Sequence, residues 1–314
     1  MDKERLKELG GKLKYCIRKK KTFAEMCEAL ELKDYELYGL VELLKQNGEL
    51  IDVVNGELVL LKNPVKVTDV YHIPNNLEHI RLLLISDTHL CNKSDRLDIL
   101  KYLYEKAERQ GVKHVMHSGD FTDGMSNRPE QIYELKETSY EGQVQYCVDK
   151  YPRFSGKTYV IQGNHDNWWF KRSGSEIVKA IAKERDDIVY LGPDVADIKI
   201  GKLKYRMFHG SGGTAYAVSY KIQKYLDSIP IEERPDILQT GHIHRAFYMN
   251  NTSTHCFQTA SLEDPTPFSR SMGFPNDLSC WWVDVDFDDK GRPVIITPQL
   301  ETFPSKRLVK TRKK

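Results

Sequence analysis

The sequence predicts an α/β fold. From about residue 80 onward, short β-rich segments alternate with amphipathic helical segments, which is the pattern of α/β domains. The first β-rich segment, "IRLLLISD", is a near-continuous apolar run, as expected for a strand buried on both faces. Five such segments end on Asp, Asn or His. Alternation alone predicts one doubly wound sheet with polar residues gathered where its strands end.

The five β-rich segments follow one another along the second half of the chain. The first ends at Asp87 and precedes the amphipathic helix "DRLDILKYLYEKAERQG", which stops at Gly111. The other four are "VKHVMHSGD", "KTYVIQGNHD", "KYRMFHG" and "DILQTGHIH". Because sites in such folds gather at the carboxyl ends of strands, we expect the last residues of these segments to surround one crevice.

A smaller helical unit precedes this region. A helix over residues 3–20 is followed by "TFAEMCEALEL", which opens with a capping box, and by a third helix that begins near Asp34. The dipeptide Asn55-Gly56 between two β-rich runs then predicts a hairpin. The order helix, helix, helix, hairpin resembles a winged helix-turn-helix domain, which we assign to residues 1–62.

Basic residues crowd both ends of the chain, although the net charge is only +2. The runs "KLKYCIRKKK" and "SKRLVKTRKK" would attract polyanions such as nucleic acid, or serve as solvated tails. In the N-terminal unit the third helix carries Asp34, Glu36 and Glu42, which repel phosphate. The unit is therefore predicted either to bind nucleic acid or to contact a protein, including a second copy of this chain.

The composition is typical of a soluble globular protein. Hydrophobic residues make up 40% and charged residues 29% of the 314 residues, and no apolar run approaches the roughly 20 residues that span a bilayer. The charged N-terminus lacks the apolar stretch of a secretory signal. The six cysteines are scattered, without a C-x-x-C pair, as is common for reduced thiols. We expect a cytoplasmic protein that does not contact the membrane.

Residues able to bind metal ions stand at the ends of all five β-rich segments. They are Asp87, His89, Asp120, Asn164, His165, His209, His242 and His244. So many at successive strand ends predict one site rather than unrelated structural residues. Carboxylate, imidazole and amide donors without thiolate suit Mn, Fe, Zn or Mg rather than Cu(I) or an iron–sulfur cluster.

The motifs "DTH", "GDFTD", "GNHD", "HG" and "GHIH" occur in this order. They resemble the five motifs of the calcineurin-like metallophosphoesterase superfamily over about residues 80–260. The resemblance implies a two-sheet sandwich flanked by helices, with a dimetal site at one edge, in place of a doubly wound sheet. We assign this domain to residues 80–304, after a linker over residues 63–79 and before a basic tail over residues 305–314.

The resemblance also implies a ligand set for two divalent ions. The expected ligands are Asp87, His89 and His244 for the first ion, Asn164, His209 and His242 for the second, and Asp120 between the two. A carboxylate suits the bridging position because its two oxygens can each take one ion. Manganese is the expected metal, with Fe, Zn, Mg and Ni as alternatives.

Three further residues of the motifs have implied roles without binding metal. His165 resembles the histidine that stabilises the transition state or protonates the leaving group. Asp123 and Asp166 are expected to support the site, and a local turn or cap is an equal alternative for Asp166.

Residues that the motifs lack exclude some of the enzyme classes in the superfamily. Protein phosphatases of the superfamily carry an Arg after the second Asp of "GDFTD", where this chain has Gly124. The Tyr ligand of purple acid phosphatases is also missing. The remaining enzyme classes are a nuclease, a cyclic or dinucleotide phosphodiesterase, and a small-molecule phosphatase. Small subunits of eukaryotic replicative polymerases resemble this fold, have lost ligands and act as scaffolds; the complete ligand set here favours an enzyme.

Aromatic and basic residues after the third motif favour nucleic acid. In "GNHDNWWFKR", Trp168 and Trp169 are candidates for stacking on bases, and Lys171 and Arg172 for holding phosphates. The alternative is that the rings pack the following helix onto the sheet. Together with the basic ends, this segment predicts a nuclease acting on DNA, similar to the DNA-repair exonuclease branch of the superfamily.

Two inserts are expected to shape the substrate cleft. One covers residues 125–156, between the second and third motifs, and the other covers residues 261–279, after "GHIH". Loops of this length beside a site are commonly functional.

Overall fold

Two compact units make up the chain, Met1–Thr68 and Asp69–Lys314. The computed structural model describes residues 3–46, 51–54, 57–60, 70–213, 215, 217–274 and 276–306. The turn residues Asn55 and Gly56, the first part of the predicted linker and most of the basic tail lie outside the described residues. All six cysteines are buried, with free thiols. In the described part of the chain, every helix is too short or too polar to cross a bilayer.

The N-terminal unit contains three helices and a two-stranded antiparallel sheet. Its elements are α1 (Lys3–Arg18), α2 (Phe23–Leu30), α3 (Asp34–Gln46), β1 (Ile51–Val54) and β2 (Glu57–Leu60). Thr22 and Glu25 form the expected capping box, in which each side chain accepts a hydrogen bond from the other residue's backbone N–H. The predicted element order is present, and the assignment to the winged-helix class stays a prediction.

The second unit is built on two six-stranded mixed sheets. The strands are β3 (Tyr71–Ile73), β4 (His79–Ile85), β5 (His114–His117), β6 (Lys157–Ile161), β7 (Ile188–Gly192), β8 (Val195–Ile200), β9 (Leu203–Phe208), β10 (Ile237–Thr240), β11 (Phe247–Asn251), β12 (Thr254–Gln258), β13 (Ser279–Phe287) and β14 (Pro293–Thr302). One sheet has the order β14-β13-β4-β5-β6-β7 and the other β11-β12-β10-β9-β8-β3. The single doubly wound sheet predicted from alternation is wrong, and the two-sheet architecture is confirmed.

Helices flank the two sheets. The α-helices of this unit are α4 (Leu97–Arg109), α5 (Tyr140–Lys150), α6 (Asn167–Ser173), α7 (Ile177–Lys183), α8 (Tyr220–Asp227) and α9 (Pro267–Ser271). On β4, Leu82 and Leu84 join the core between the sheets, while Leu83 and Ile85 pack in the core that includes α4, α5 and α7. Burial on both faces explains the continuous apolar run of this strand.

Parallel pairing brings the motif residues to one edge of each sheet. Strands β4, β5 and β6 are parallel neighbours in the first sheet, and β9 and β10 are parallel neighbours in the second. The carboxyl ends of parallel neighbours lie side by side. The five motif segments therefore leave their strands in two adjacent groups, and the site is formed from both sheets.

A buried arginine ties the end of α5 to the loop before β7. Arg185 is 1% exposed, and its guanidinium forms two hydrogen bonds of 2.7 Å with the carboxylate of Asp187. It also donates to the carbonyls of Val148, Tyr151 and Pro152 at 2.8–3.1 Å. These carbonyls belong to the last turn of α5 and to the two residues after it, where helices leave acceptors without intrahelical partners.

Arg185→Ala should lower the free energy of unfolding of the second unit by about 3–5 kcal/mol, because it leaves a buried carboxylate without its partner. Tryptophan fluorescence in guanidinium chloride measures this, since all four tryptophans lie in the second unit. Lys179→Ala is the control: its ion pair with Glu176 is half exposed, and its loss should cost less than about 1 kcal/mol. Equal unfolding midpoints for the two variants would contradict the role of Arg185.

Candidate active site

The predicted ligands converge in two groups. In the first, Nε2 of His89 and Nε2 of His244 are 3.1 Å apart, and Nε2 of His244 is 3.1 Å from Oδ1 of Asp87. In the second, Nε2 of His209 lies 3.1 Å from Oδ1 of Asn164 and 3.1 Å from Oδ2 of Asp120. The structure thus brings the ends of strands from both sheets together, as the motifs predict.

Asp120 lies between the two groups. Its Oδ2 faces both, at 3.1 Å from Nε2 of His209 and 3.9 Å from Nε2 of His89. Its Oδ1 accepts a hydrogen bond of 2.8 Å from the backbone N–H of His165. The two oxygens therefore have different protein contacts, and the bridging role of Asp120 stays a prediction.

His242 adjoins the second group. Its ring centroid is 5.3 Å from that of His209, and a ring nitrogen lies within 4.8 Å of ligand atoms of His209 and Asp120. Its Nε2 is 2.6 Å from the carbonyl oxygen of Gly212. The loop that follows His209 therefore contacts the site through this imidazole.

Several of these residues have a left-handed backbone conformation. Positive φ angles of 42–72° occur at Asp87, His89, Asp120, His242 and His244. The conformation costs non-glycine residues about 1–3 kcal/mol each and persists where the surroundings hold it. Hydrogen bonds between the motif loops stabilise this conformation. The backbone N–H of Asp87 donates to the carbonyl of Gly119, and that of His89 donates to the carbonyl of Asp120. These turns point the side chains toward one centre.

Two glycines let the motif loops approach each other. A Cβ at Gly163 would collide with the Asp120 carboxylate, and a Cβ at Gly241 would collide with Oγ of Ser86 and lie 2.6 Å from Oδ2 of Asp87. Neither position has room for any other residue. These two glycines therefore allow the motif loops to pack closely.

Opposite charges compensate one another in this buried site. Burial alone would raise the pKa of Asp87, but contacts with His244 and His89 outweigh it and hold the pKa well below its usual range. Burial lowers the pKa of His209, yet Asp120 raises it to about 9. The imidazole of His209 thus favours positive charge beside the Asp120 carboxylate. Metal binding at such a site displaces protons from the ligands.

The donor set fits divalent cations. The ligand atoms of Asp87, His89 and His244 lie within 4.8 Å of one another, as do those of Asp120, His209 and His242. Buried carboxylates and imidazoles that converge on a common point need a compensating cation or a proton. Oxygen and nitrogen donors without thiolate match borderline and hard dications.

Asp123 and Asp166 support the site through hydrogen bonds. Asp123 accepts from Asn92 and Gln131 and lies 3.3 Å from Nδ1 of both His89 and His165. Asp166 is fully buried and accepts four hydrogen bonds, from the backbone N–H groups of Phe121, Thr122 and Gly163 and from the Thr122 hydroxyl. It makes no side-chain cap hydrogen bond to α6. Asp166 therefore joins the second and third motif loops.

His165 lies beside the first group, with its ring centroid 4.5 Å from that of His89. Its Nδ1 is 3.0 Å from the Asp123 carbonyl oxygen, so that hydrogen bond orients the ring and leaves Nε2 free of it. The Trp168 ring packs on the other side, with centroids 3.9 Å apart. The hydrogen bond to Asp123 and the ring contact with Trp168 fix the imidazole at the cavity wall.

The four residues predicted to contact substrate separate into two pairs. Trp168 and Lys171 line the cavity. Trp169 is 8% exposed, packs in the core and donates its indole N–H to Gln143 at 3.1 Å, so its ring is closed to a base. Arg172 donates to the Ser126 carbonyl at 2.6 Å and to Asn127, and so holds the first insert.

The cavity above the ligands has a volume of about 780 Å³. Its walls include residues that sequence reasoning missed: Asn92, Arg128, Glu263, Phe268 and Phe274. Glu263 is 4% exposed, and its Oε1 has no hydrogen-bond partner among the described residues. Burial raises its pKa well above the usual range. Arg128, Glu263, Phe268 and Phe274 lie in the two inserts, which was the only sequence signal for them, and Asn92 follows the first motif.

Comparison with known proteins identifies the family. The family profile described as "Calcineurin-like phosphoesterase superfamily domain" matches residues 80–272. The DNA polymerase II small subunit of Thermoplasma acidophilum is 22% identical over 83% of this chain, and the chain spans 60% of that protein's length.

Two solved structures share the architecture at low identity. An archaeal phosphodiesterase is 14% identical with a TM-score of 0.41, covering 71% of this chain and 100% of that one. Vps29 of Entamoeba histolytica with Zn²⁺ is 14% identical with a TM-score of 0.36, covering 72% and 100%. Scores this low carry no argument about function. The family profile, however, runs through all five motifs and over more than half of the sequence, and the chain belongs to the calcineurin-like phosphoesterase superfamily.

Proposed function

We propose that this protein is a metal-dependent phosphodiesterase that cleaves DNA. The observation that carries the proposal is the convergence of seven nitrogen and oxygen donors, in two groups with Asp120 between them, beside an open cavity. Asp87, His89 and His244 are the proposed ligands of one ion, and Asn164, His209 and His242 those of the other.

Two bound divalent ions would polarise the phosphoryl group and lower the pKa of a bound water. Asp120, which lies between the two groups, would hold both ions, and its Oδ1 also accepts a hydrogen bond from the N–H of His165. Asp123 holds His165 at Nδ1, which leaves Nε2 to protonate the leaving oxygen or bind the phosphoryl oxygen. Asn92 and Gln131 in turn hold Asp123 in place.

DNA as the substrate is supported by the relative and by charge. The relative is named as a DNA polymerase subunit, which is consistent with both a nucleic-acid substrate and a protein partner. Exposed cations lie at the end of α1 and directly after it, at Arg18, Lys19 and Lys20. A phosphatase or phosphodiesterase acting on nucleotides or other small phosphoesters is the second candidate, because the cavity size lies in the range of about 300–1,000 Å³ common for small ligands.

Asp120→Asn should lower the metal content below two ions per chain and remove most hydrolysis of bis-p-nitrophenyl phosphate. The substitution leaves the side-chain volume almost unchanged but removes the charge shared by both groups. Elemental analysis after dialysis against Mn²⁺ measures the first effect. Asp227→Asn, at a side chain that is 67% exposed, is the matched control and should keep both ions. Two bound ions per chain in Asp120→Asn would contradict the bridging role of Asp120.

His165→Ala should keep both ions and slow hydrolysis by about 10²–10⁴-fold, the range for a positioned acid or base. Its backbone N–H, which contacts Asp120, is unchanged by the substitution. Metal analysis and steady-state rates are measured on the same preparation. Stoichiometric loss of one ion would instead make His165 a ligand.

The three cations at the end of α1 provide a test of DNA recruitment. Replacing Arg18, Lys19 and Lys20 together by Gln should reduce the slope of log affinity against log salt for single-stranded DNA by about 2. Fluorescence anisotropy over a salt series measures the slope. The control carries the same charge change at three exposed lysines of the second unit, Lys101, Lys113 and Lys199.

An unchanged slope in the variant of the three cations would reject DNA recruitment by this segment. If light scattering then shows an altered oligomeric state, the N-terminal unit contacts a protein, such as a second copy of this chain.

A further inference from the structure

The two inserts meet across the cavity and form an aromatic and cationic rim. The guanidinium of Arg128, from the first insert, lies 4.0 Å from the ring centroid of Phe268, from the second. Phe274 packs edge-on against Phe268, with centroids 6.1 Å apart. Arg128, Phe268 and Phe274 all line the same cavity as the candidate ligands. We call these three residues the rim.

The rim is open to solvent, unlike the floor of the cavity. Phe268 is 40% and Phe274 38% exposed, whereas Asp123 and Glu263 are each 4% exposed. Exposed aromatic rings beside a polar site mark a place where a ligand with an apolar face binds. A flat π-system suits it, because both an aromatic ring and a guanidinium plane stack on one.

The first insert is held in place by the active site itself. The side-chain amide of Gln131 donates to the backbone carbonyl and the carboxylate of Asp123. Its oxygen Oε1 accepts a hydrogen bond from the Ser126 N–H at 2.6 Å. Arg172 fixes the same loop through the Ser126 carbonyl. The position of Arg128 is therefore set relative to Asp123, the residue that orients His89 and His165.

The charges of the rim suit an anionic ligand. Arg128 pairs only loosely with Glu134, at 3.5 Å, and its Nε has no hydrogen-bond partner among the described residues. Lys171 also lines the cavity, and within the described ranges no acidic side chain forms an ion pair with it. A ligand that carries both phosphate and a flat apolar ring matches this combination.

We propose that the rim binds an unpaired nucleobase next to the phosphodiester that is cleaved. The proposal rests on the phosphodiesterase function above and adds a substrate class, single-stranded or frayed DNA. In an intact duplex the faces of the bases are covered by their neighbours, so only an unpaired nucleotide can present one to Phe268. The same chemistry is found in a free nucleotide, and the experiment separates the two sources.

The test compares two single-stranded oligonucleotides with equal phosphate number, one with normal bases and one built from abasic residues. Affinity for the full chain is measured by fluorescence anisotropy, with Ca²⁺ in place of Mn²⁺ to slow cleavage. Phe268→Ala should weaken binding of the base-bearing strand by about 5- to 150-fold and leave the abasic strand unchanged. Phe268→Tyr, which keeps a ring, should retain the preference, and Phe268→Leu should lose it.

Tyr133→Ala is the control, because Tyr133 is an aromatic residue of the first insert that is 75% exposed and lies outside the cavity. It should leave both affinities unchanged. Metal content and the unfolding midpoint are checked for every variant. The proposal is overturned if Phe268→Ala weakens binding of both strands equally or of neither. It is also overturned if Phe268→Leu retains the preference for the base-bearing strand, which would indicate a generic apolar contact, such as a protein partner.

Two further measurements separate this proposal from the nuclease function. If the base preference holds but Mn²⁺ supports no DNA cleavage, base binding stands and the nuclease proposal fails. Competition by deoxyadenosine monophosphate, compared with deoxyribose 5-phosphate, identifies the source: a free nucleotide that competes as well as the oligonucleotide would make nucleotides the ligand of the rim.

Discussion

The site depends on the burial of two carboxylates among imidazoles at the ends of strands from two sheets. Asp87 and Asp120 are almost completely inaccessible to water, and each lies 3.1 Å from an imidazole Nε2. A buried carboxylate without compensation is unstable. The left-handed turns, the close-packed glycines and the hydrogen bonds between motif loops all serve to keep these opposite charges facing one another. The long aliphatic strands supply the rigid base on which that arrangement stands.

The chemistry of the site could be read from the sequence because it is local. Each candidate ligand follows a β-rich segment within a few residues, so a motif specifies both its identity and its place in the fold. The second sheet could not be derived this way. In the second sheet β3 pairs with β8, more than a hundred residues further on, and in the first sheet β4 pairs with the distant β13; no local pattern encodes these contacts. Alternation of strands and helices describes the order of elements, and two different sheet arrangements satisfy it.

Segments between the motifs were harder to predict for a related reason. The stretch "NWWFKRS" forms a helix of only two turns, too short for a periodic pattern to show which tryptophan faces the core. Trp168 and Trp169 are neighbours in sequence, yet one lines the cavity and the other packs beneath it. Likewise, the contact between Arg128 and Phe268 joins residues far apart in the chain. Its existence follows from the fold and from no motif.

The four hydrogen bonds of Asp166 have a consequence for how the site moves. They connect the loop after β5 to the loop after β6, so the segments that carry Asp120 and Asn164 are anchored to one buried carboxylate. Local opening of either loop breaks bonds that belong to both. The amide protons of Phe121, Thr122 and Gly163 are therefore expected to exchange with solvent together, as members of one cooperative unit, and the two halves of the site to loosen in a single event.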